Sequence, residues 1–334
     1  MSRAPESGHR AHQAMGPGRE FDTIRMLMER WGDLAVDIGD DAAVLPAVGT
    51  RTQVISTDAC VEGAHFRRGW LSAHDVGVRA AAAALSDLAA MGARADAVLL
   101  AFVVPDAWRA ELGDIADGIG RVVRASGARI IGGNLSRGEA LAITTTVVGS
   151  ADHVVARRGA RAGDVLVVTG ALGGPGSALE AWSEGREPKP WARQRFVAPA
   201  PRLVEGAALA AAGAHAMLDI SDGLAADARH LAAASGVQLV IDAAALPVGD
   251  GVGPATALGS GEEYELLAAL PPDAAALLIR EWPNRFRVPL TAIGRVVTGN
   301  TPGAIEIVGM DGAESAGPAS ARVEFGGGHD HFSR

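Results

Sequence analysis

Carboxylates gathered in short glycine- or serine-bearing segments, at the borders of apolar runs, constrain this chain more than any other feature. The segments are Gly39-Asp40-Asp41, Ser56-Thr57-Asp58, Ser86-Asp87 and Asp219-Ile220-Ser221-Asp222-Gly223. Two carboxylates about 6 Å apart repel by roughly 3 kcal/mol at an effective dielectric near 20, so a fold that brings several together needs cations or protons among them. Mg2+ suits such a place, because it takes hard oxygen ligands, is held by a few carboxylates and is completed by substrate phosphates. Singly, each segment has a plainer reading, since Asp and Ser cap helices and Asp-Gly makes turns. Asp87 resists that reading: it sits inside an alanine-rich helical run, where it neither caps nor turns.

Around these acids the hydrophobic pattern alternates strands with helices and starts again near the middle of the chain. Helices are expected over 20–31, 73–91, 107–126, 177–182, 202–212, 224–235 and 273–282. Strands are expected over 42–45, 53–57, 98–104, 129–131, 142–150, 165–169, 216–220, 238–241, 267–270, 291–297 and 305–308. The proline-punctuated stretch 183–201 reads as a surface loop. A chain of 334 residues is long for one core, because single cores stop growing near roughly 250 to 300 residues. Two α/β (α+β) domains are therefore expected, residues 20–150 and 151–332, with a joint near 150–161. Residues 1–19 read as a disordered tail without the apolar block of a secretory signal, and Met15 is a second candidate start.

Composition narrows the function classes. With 48% hydrophobic and 21% charged residues the chain is globular, and a net charge of -9 argues against a nucleic-acid partner. The apolar run from Val76 to Ala93 is broken by Arg79, Ser86 and Asp87, so no membrane span is expected. A lone cysteine, Cys60, has no disulfide or zinc partner and reads as a small buried residue, which points to a reducing, cytoplasmic setting.

Taken together the acidic segments become specific. Ile38-Gly-Asp-Asp-Ala, Ile55-Ser-Thr-Asp with Val61-Glu-Gly-Ala-His-Phe, Leu85-Ser-Asp-Leu-Ala-Ala-Met-Gly and Leu218-Asp-Ile-Ser-Asp-Gly-Leu resemble, in order and spacing, the successive signatures of thiamine-monophosphate kinases. The terminal Gly328-His-Asp-His-Phe resembles that family's ending, so the likeness runs from about Glu20 to Phe332. It implies the two-domain fold of the aminoimidazole ribonucleotide synthetase superfamily. In that fold an N-terminal mixed sheet with helices forms the interface of a homodimer, and a C-terminal α/β domain follows. It also implies Mg2+ at Asp41, Ser56, Thr57, Asp58, Asp87, Asp219 and Asp222, and ATP at Gly133, Arg157 and Ser221. His65, Glu262 and Phe325 would meet thiamine phosphate.

The chain departs from the family pattern at two places. Gly132-Gly133-Asn134 replaces the usual Gly-Gly-Asp, so Asn134 brings a neutral carbonyl to the metal and nucleotide site and should hold Mg2+ more weakly. In Ser260-Gly261-Glu262-Glu263-Tyr264-Glu265, a second Gly before the first acid is missing and Glu stands where the family has Asp.

Other features keep two readings. The loop Gly170-Ala-Leu-Gly-Gly-Pro-Gly opens a helix and suits either a phosphate or close packing; it is no Walker A loop, since no Lys-Ser or Lys-Thr follows. Arg137 suits a phosphate or a solvated turn, and His329, Asp330 and His331 suit a metal or a flexible end. No residue is expected to act as a catalytic base, because an acceptor phosphate oxygen is already ionised near neutral pH. The reaction implied is in-line transfer from ATP to thiamine phosphate with Mg2+ bridging donor and acceptor. The alternatives are another ATP-dependent synthetase of the superfamily and a non-catalytic nucleotide-binding protein.

Overall fold

The computed structural model describes residues 14–32, 38–48, 51–299 and 301–310. After helix α1 (Arg19–Trp31), strands β1 (Ala43–Val48), β2 (Arg51–Val61), β3 (Arg94–Val104), β4 (Arg129–Arg137) and β5 (Ala142–Ala151) form a mixed sheet in the order β1-β2-β5-β3-β4. Only the β3–β4 pair is parallel. Helices α2 (Ala73–Ala90) and α3 (Leu112–Ser126) cover one face of this sheet.

The second sheet takes β6 (Val165–Thr169), β7 (Ala216–Asp219), β8 (Gln238–Asp242), β9 (Leu266–Leu270), β10 (Leu290–Val297) and β11 (Ile305–Val308), in the order β11-β8-β10-β6-β9-β7. The helices of this half are α4 (Gly174–Ser183), α5 (Pro190–Val197), α6 (Leu203–Ala211), α7 (Leu224–Ser235), α8 (Pro254–Gly259) and α9 (Pro272–Glu281), of which α7 and α9 pack on the second sheet.

Helix α2 positions the site. Ser72 and Asp75 close a capping box at its start. Its alanines are a packing requirement, because the helix touches its own sheet, α3, α6 and strand β7 at once. A Cβ on Gly77 would stand 2.1 Å from the Ile115 carbonyl oxygen and one on Gly118 2.0 Å from that of His74, so α2 and α3 meet backbone to backbone through these two glycines. Fifteen α2 residues are buried, Arg79 and Ser86 among them.

Three expectations need correction. The stretch 183–201 contains α5, which starts with Pro190 at its first helical position and sinks Phe196 to 1% exposure in the N-terminal core. Its prolines mark a helix start as well as loop, and the helix is held by burial rather than by a long apolar period. Gly16, within the stretch expected to be a disordered tail, is held: it rests its N–H on His230 Nδ1 at 3.1 Å, and Arg25 Nη1 donates to its carbonyl. Residue 16 must be glycine for that contact, since a Cβ there would lie 2.6 Å from the imidazole. The expected helix 107–126 divides into a 3-10 turn, Asp106–Glu111, and α3.

The sheet-and-helix expectation holds, but α2 is spent inside the chain. The large apolar side chains left at the surface of the N-terminal sheet include Ile130, Ile131 and Leu135, 49%, 62% and 65% exposed on the edge strand β4. Among the described residues no helix is long and apolar enough to cross a membrane.

Candidate active site

Three of the predicted carboxylates converge. Asp41 precedes β1, Asp87 lies in α2 and Asp219 ends β7, and one oxygen of each lies within 4.8 Å of the others. Each has a hydrogen-bonding neighbour. Ser86 Oγ donates to Asp219 Oδ2 at 2.5 Å, Ser56 Oγ donates to Asp87 Oδ2, and Arg157 grips Asp41 with Nε at 3.0 Å from Oδ2 and Nη2 at 2.5 Å from Oδ1. The Arg157 backbone N–H adds a bond to Asp40 Oδ1 at 2.9 Å.

Burial, and then the charge of Asp41, pushes Asp219 up to about 7; burial and the neighbouring acids raise Asp87 well above the carboxylate range. This is the signature of a cluster two positive charges short: three acids and one guanidinium in low dielectric. A divalent oxygen-seeking cation fits that donor set.

Asp58 lies on β2 two residues from Ser56, so both side chains leave the strand on one face, and its charge is felt by Asp87 and Asp219. Thr57 leaves on the opposite face, where its hydroxyl is 3.0 Å from Thr146 Oγ1. Ser221 and Asp222 form the turn into α7. The backbone N–H groups of Ser221, Asp222 and Gly223 all donate to Asp227 Oδ2 at 3.0–3.1 Å, so the turn is wound around one buried carboxylate. Asp222, Asp227 and His230 also offer atoms within 4.8 Å of one another. Burial, aided by Arg157, lowers His230 to about 3, so it is a neutral ring there.

Gly133 and Asn134 stand apart from this cluster. The strand register sets Asp58, Thr145, Leu100 and Gly133 in one transverse row, which places Gly133 about 14 Å from Asp58 at the usual spacing between strands. Arg137 pairs at the surface with Asp106 at 2.6 Å. Phe325, His329, Asp330 and His331 lie outside the described residues.

His65 and Glu262 belong to a second, adjoining centre, with His65 near enough to act on the Glu262 carboxyl. His65 Nδ1 accepts the Val61 N–H at 3.1 Å, which leaves the proton of the neutral ring on Nε2. Burial works against ionisation of Glu262, and Arg79 overrides it, holding the carboxyl below its usual range.

The second departure from the family pattern has a structural answer. Ser260 Oγ accepts the Gly176 N–H at 2.9 Å, and Glu263 Oε1 accepts the Gly173 N–H. The residues that differ from the family pattern thus both tie to the glycine-rich loop. Two of the loop amides that a phosphate would need are already taken, so close packing is the reading that stands. Burial, opposed mainly by its bond to Ser260, raises Glu263 to about 7. Glu265, next but one along, is clamped by Thr169, Arg195 and Arg202.

Sequence reasoning missed Arg79, Asp227 and the Glu265 clamp as parts of the site's frame. The signals were a lone arginine in an alanine run and an acid in the first turn of the helix after Asp-Gly. Cys60 is 7% exposed and burial pushes its thiol up to about 12, as a structural cysteine requires.

The fold and site define a class. The N-terminal domain model of the AIR synthase related proteins matches residues 39–151, and the corresponding C-terminal domain model matches residues 161–306. A thiamine-monophosphate kinase of Mycobacterium tuberculosis is 41% identical over 244 residues, covering 69% of this chain and 73% of that one. One from Halobacterium salinarum is 36% identical over 284 residues, covering 81% and 92%. The chain belongs to the thiamine-monophosphate kinase family. Among solved structures, AaThiL complexed with AMPPCP and TMP superposes with a TM-score of 0.77 at 30% identity, covering 87% of this chain and 94% of that one. The thiamine-monophosphate kinase of Stenotrophomonas maltophilia K279a gives 0.72 at 32%, covering 90% and 99%. The hydrogenase maturation protein HypE, in complex with HypF, is 18% identical with a TM-score of 0.71 and shares the fold.

Proposed function

We propose that this chain transfers the γ-phosphoryl group of ATP to thiamine phosphate, giving thiamine diphosphate and ADP. The observation that carries the reading is the meeting of Asp41, Asp87 and Asp219 from both halves of the chain, next to the Glu262 and His65 centre. Family membership and the neighbour complexed with AMPPCP and TMP support it.

Asp41, Asp87 and Asp219, with Asp58 and Asp222 beside them, would hold Mg2+, which when bound neutralises phosphate charge. The chain's own contribution is position. Arg157 spends two of its five donors on Asp41 and keeps the rest for a phosphate. The amides gathered on Asp227 hold the turn that carries Ser221 and Asp222. Ionised Glu262, with His65 beside it, offers an acceptor to the positively charged, amino-bearing thiamine. No side chain need remove a proton from the acceptor, whose phosphate oxygen is already ionised.

Gly133 and Asn134 would meet the nucleotide at the far end of the transverse row, a separation that an extended nucleoside triphosphate spans. We further propose a homodimer that covers the β4 edge and its exposed Ile130, Ile131 and Leu135. The setting is cytoplasmic, in keeping with one buried, unpaired cysteine. The domains proposed are 20–150 for metal and nucleotide and 151–332 for the second half of the site. The test is direct detection of thiamine diphosphate from ATP, Mg2+ and thiamine phosphate, with unphosphorylated thiamine as the control acceptor; product from thiamine alone, or none from thiamine phosphate, would overturn the reading.

A further inference from the structure

The predicted substrate contact Glu262 is held by a residue from the other domain. Arg79, in the second turn of α2 and 3% exposed, donates from Nη2 to Glu262 Oε2 and from Nη1 to the Phe196 carbonyl. Its guanidinium carbon lies over the Phe196 ring, 3.9 Å from the centroid, and its Nε is buried without a partner. Tyr264 donates its hydroxyl to the same Glu262 Oε2 at 2.7 Å, so Oε1 receives neither donor.

The segment is also strained: Glu262 and Tyr264 have φ of 62° and 52°, a left-handed conformation that side chains with a Cβ rarely take. Such strain persists only where the surroundings over-determine it: the Glu262 and Tyr264 N–H groups donate to the Ser221 and Ile220 carbonyls at 2.7 and 2.9 Å, and Arg79 holds the Glu262 side chain.

The spacing along α2 matters. Arg79 and Ser86 are seven residues apart, two turns on one helix face and about 10 Å along the axis. Each reaches across the seam between the domains, Arg79 to Glu262 and Ser86 to Asp219. One rigid helix therefore sets the separation between the carboxylate for the organic head of the acceptor and the acids beside its phosphate.

We propose that Arg79 is a positioning residue for the acceptor: it aims Glu262 Oε1 at the substrate and fixes its distance from the acidic cluster. Selection thereby falls on a phosphate ester with a cationic or amino-bearing head of matching length. This rests on the phosphotransferase reading given above.

The test is steady-state kinetics on the full chain, with thiamine phosphate, ATP and Mg2+ varied separately. Arg79→Met is expected to raise KM for thiamine phosphate about tenfold or more, with KM for ATP and the Mg2+ requirement held within about twofold. Arg79→Lys, which keeps the charge, is expected to recover most of that loss, and Tyr264→Phe to raise the same KM by about threefold. Equal changes for ATP and thiamine phosphate in Arg79→Met would overturn the proposal. Should that variant not fold, Tyr264→Phe decides: an unchanged KM for thiamine phosphate overturns it. A wild type that forms no thiamine diphosphate removes the functional reading and this proposal together, whereas an active wild type with unselective variants removes the proposal alone.

Discussion

Ser86 Oγ donates to Asp219 Oδ2 at 2.5 Å, joining helix α2 of the first domain to strand β7 of the second. A serine and an aspartate side by side in an alanine-rich helix are thereby given separate tasks: Ser86 reaches the acid of the other domain, and Asp87 adds its own carboxylate to the same cluster. The site therefore exists only where the two domains meet.

That arrangement makes the cluster costly when no cation is bound, with a sign that can be worked out. Asp219 is raised to about 7 in the folded chain, chiefly by burial, against an ordinary 3.8. Without a divalent cation the folded chain keeps a proton that the unfolded chain gives up, so stability falls as pH rises from about 4 to about 7 and this contribution is gone at pH 8. Asp219→Asn keeps an oxygen for Ser86 and removes the charge. It is expected to be more stable than the wild type in EDTA at pH 8, by about 1 to 3 kcal/mol, and to lose the stabilisation that Mg2+ confers on the wild type. Thermal unfolding with EDTA and with Mg2+ checks both; a variant less stable than the wild type in EDTA at pH 8 would show that the acids do not strain the fold.

Asn134 offers a gain-of-function test. Asn134→Asp places a carboxylate where the family resemblance expects one, on an exposed strand where the substitution disturbs no core. The expected outcome is a Mg2+ requirement for half-maximal rate lowered by about threefold to tenfold, with little change in stability. An unchanged requirement would mean that Asn134 does not meet the metal–nucleotide complex.

The exposed β4 edge predicts an oligomer. Ile131→Glu places a charge on a side chain that is 62% exposed in the single chain and buried in the proposed dimer. Light scattering is expected to show a dimer for the wild type and a monomer for the variant, since a desolvated charge at an interface costs several kcal/mol. A wild-type monomer at micromolar concentration contradicts the dimer.

Much of this was legible from residues alone, and what was not has physical reasons. The acids at 41, 87 and 219 were visible because Asp87 broke a rule: no cap or turn accounts for it inside a helix. Strand and helix positions followed from period, as in Val165–Thr169 and Leu224–Ser235, which the structure reproduces. Helix α5 was invisible because burial of Ala192, Phe196 and Val197 against α4 and α2 defines it, and the Phe196 contact with Arg79 spans 117 residues. Arg79 itself reads as a mere interruption of an apolar run until Glu262, from the other domain, is placed beside it. The separation of Gly133 from Asp58 depends on strand order, which periodicity does not encode.

The central claim is that the acids gathered at the domain seam serve metal-dependent phosphoryl transfer to thiamine phosphate. The most direct measurement is the rate of thiamine diphosphate formation as a function of Mg2+ for the wild type and for Asp87→Asn. A wild-type rate that vanishes without Mg2+ and saturates with it, together with a loss of about 100-fold or more in the variant, is expected. A wild-type rate indifferent to Mg2+, or an Asp87→Asn rate within a few fold of the wild type, would contradict the account.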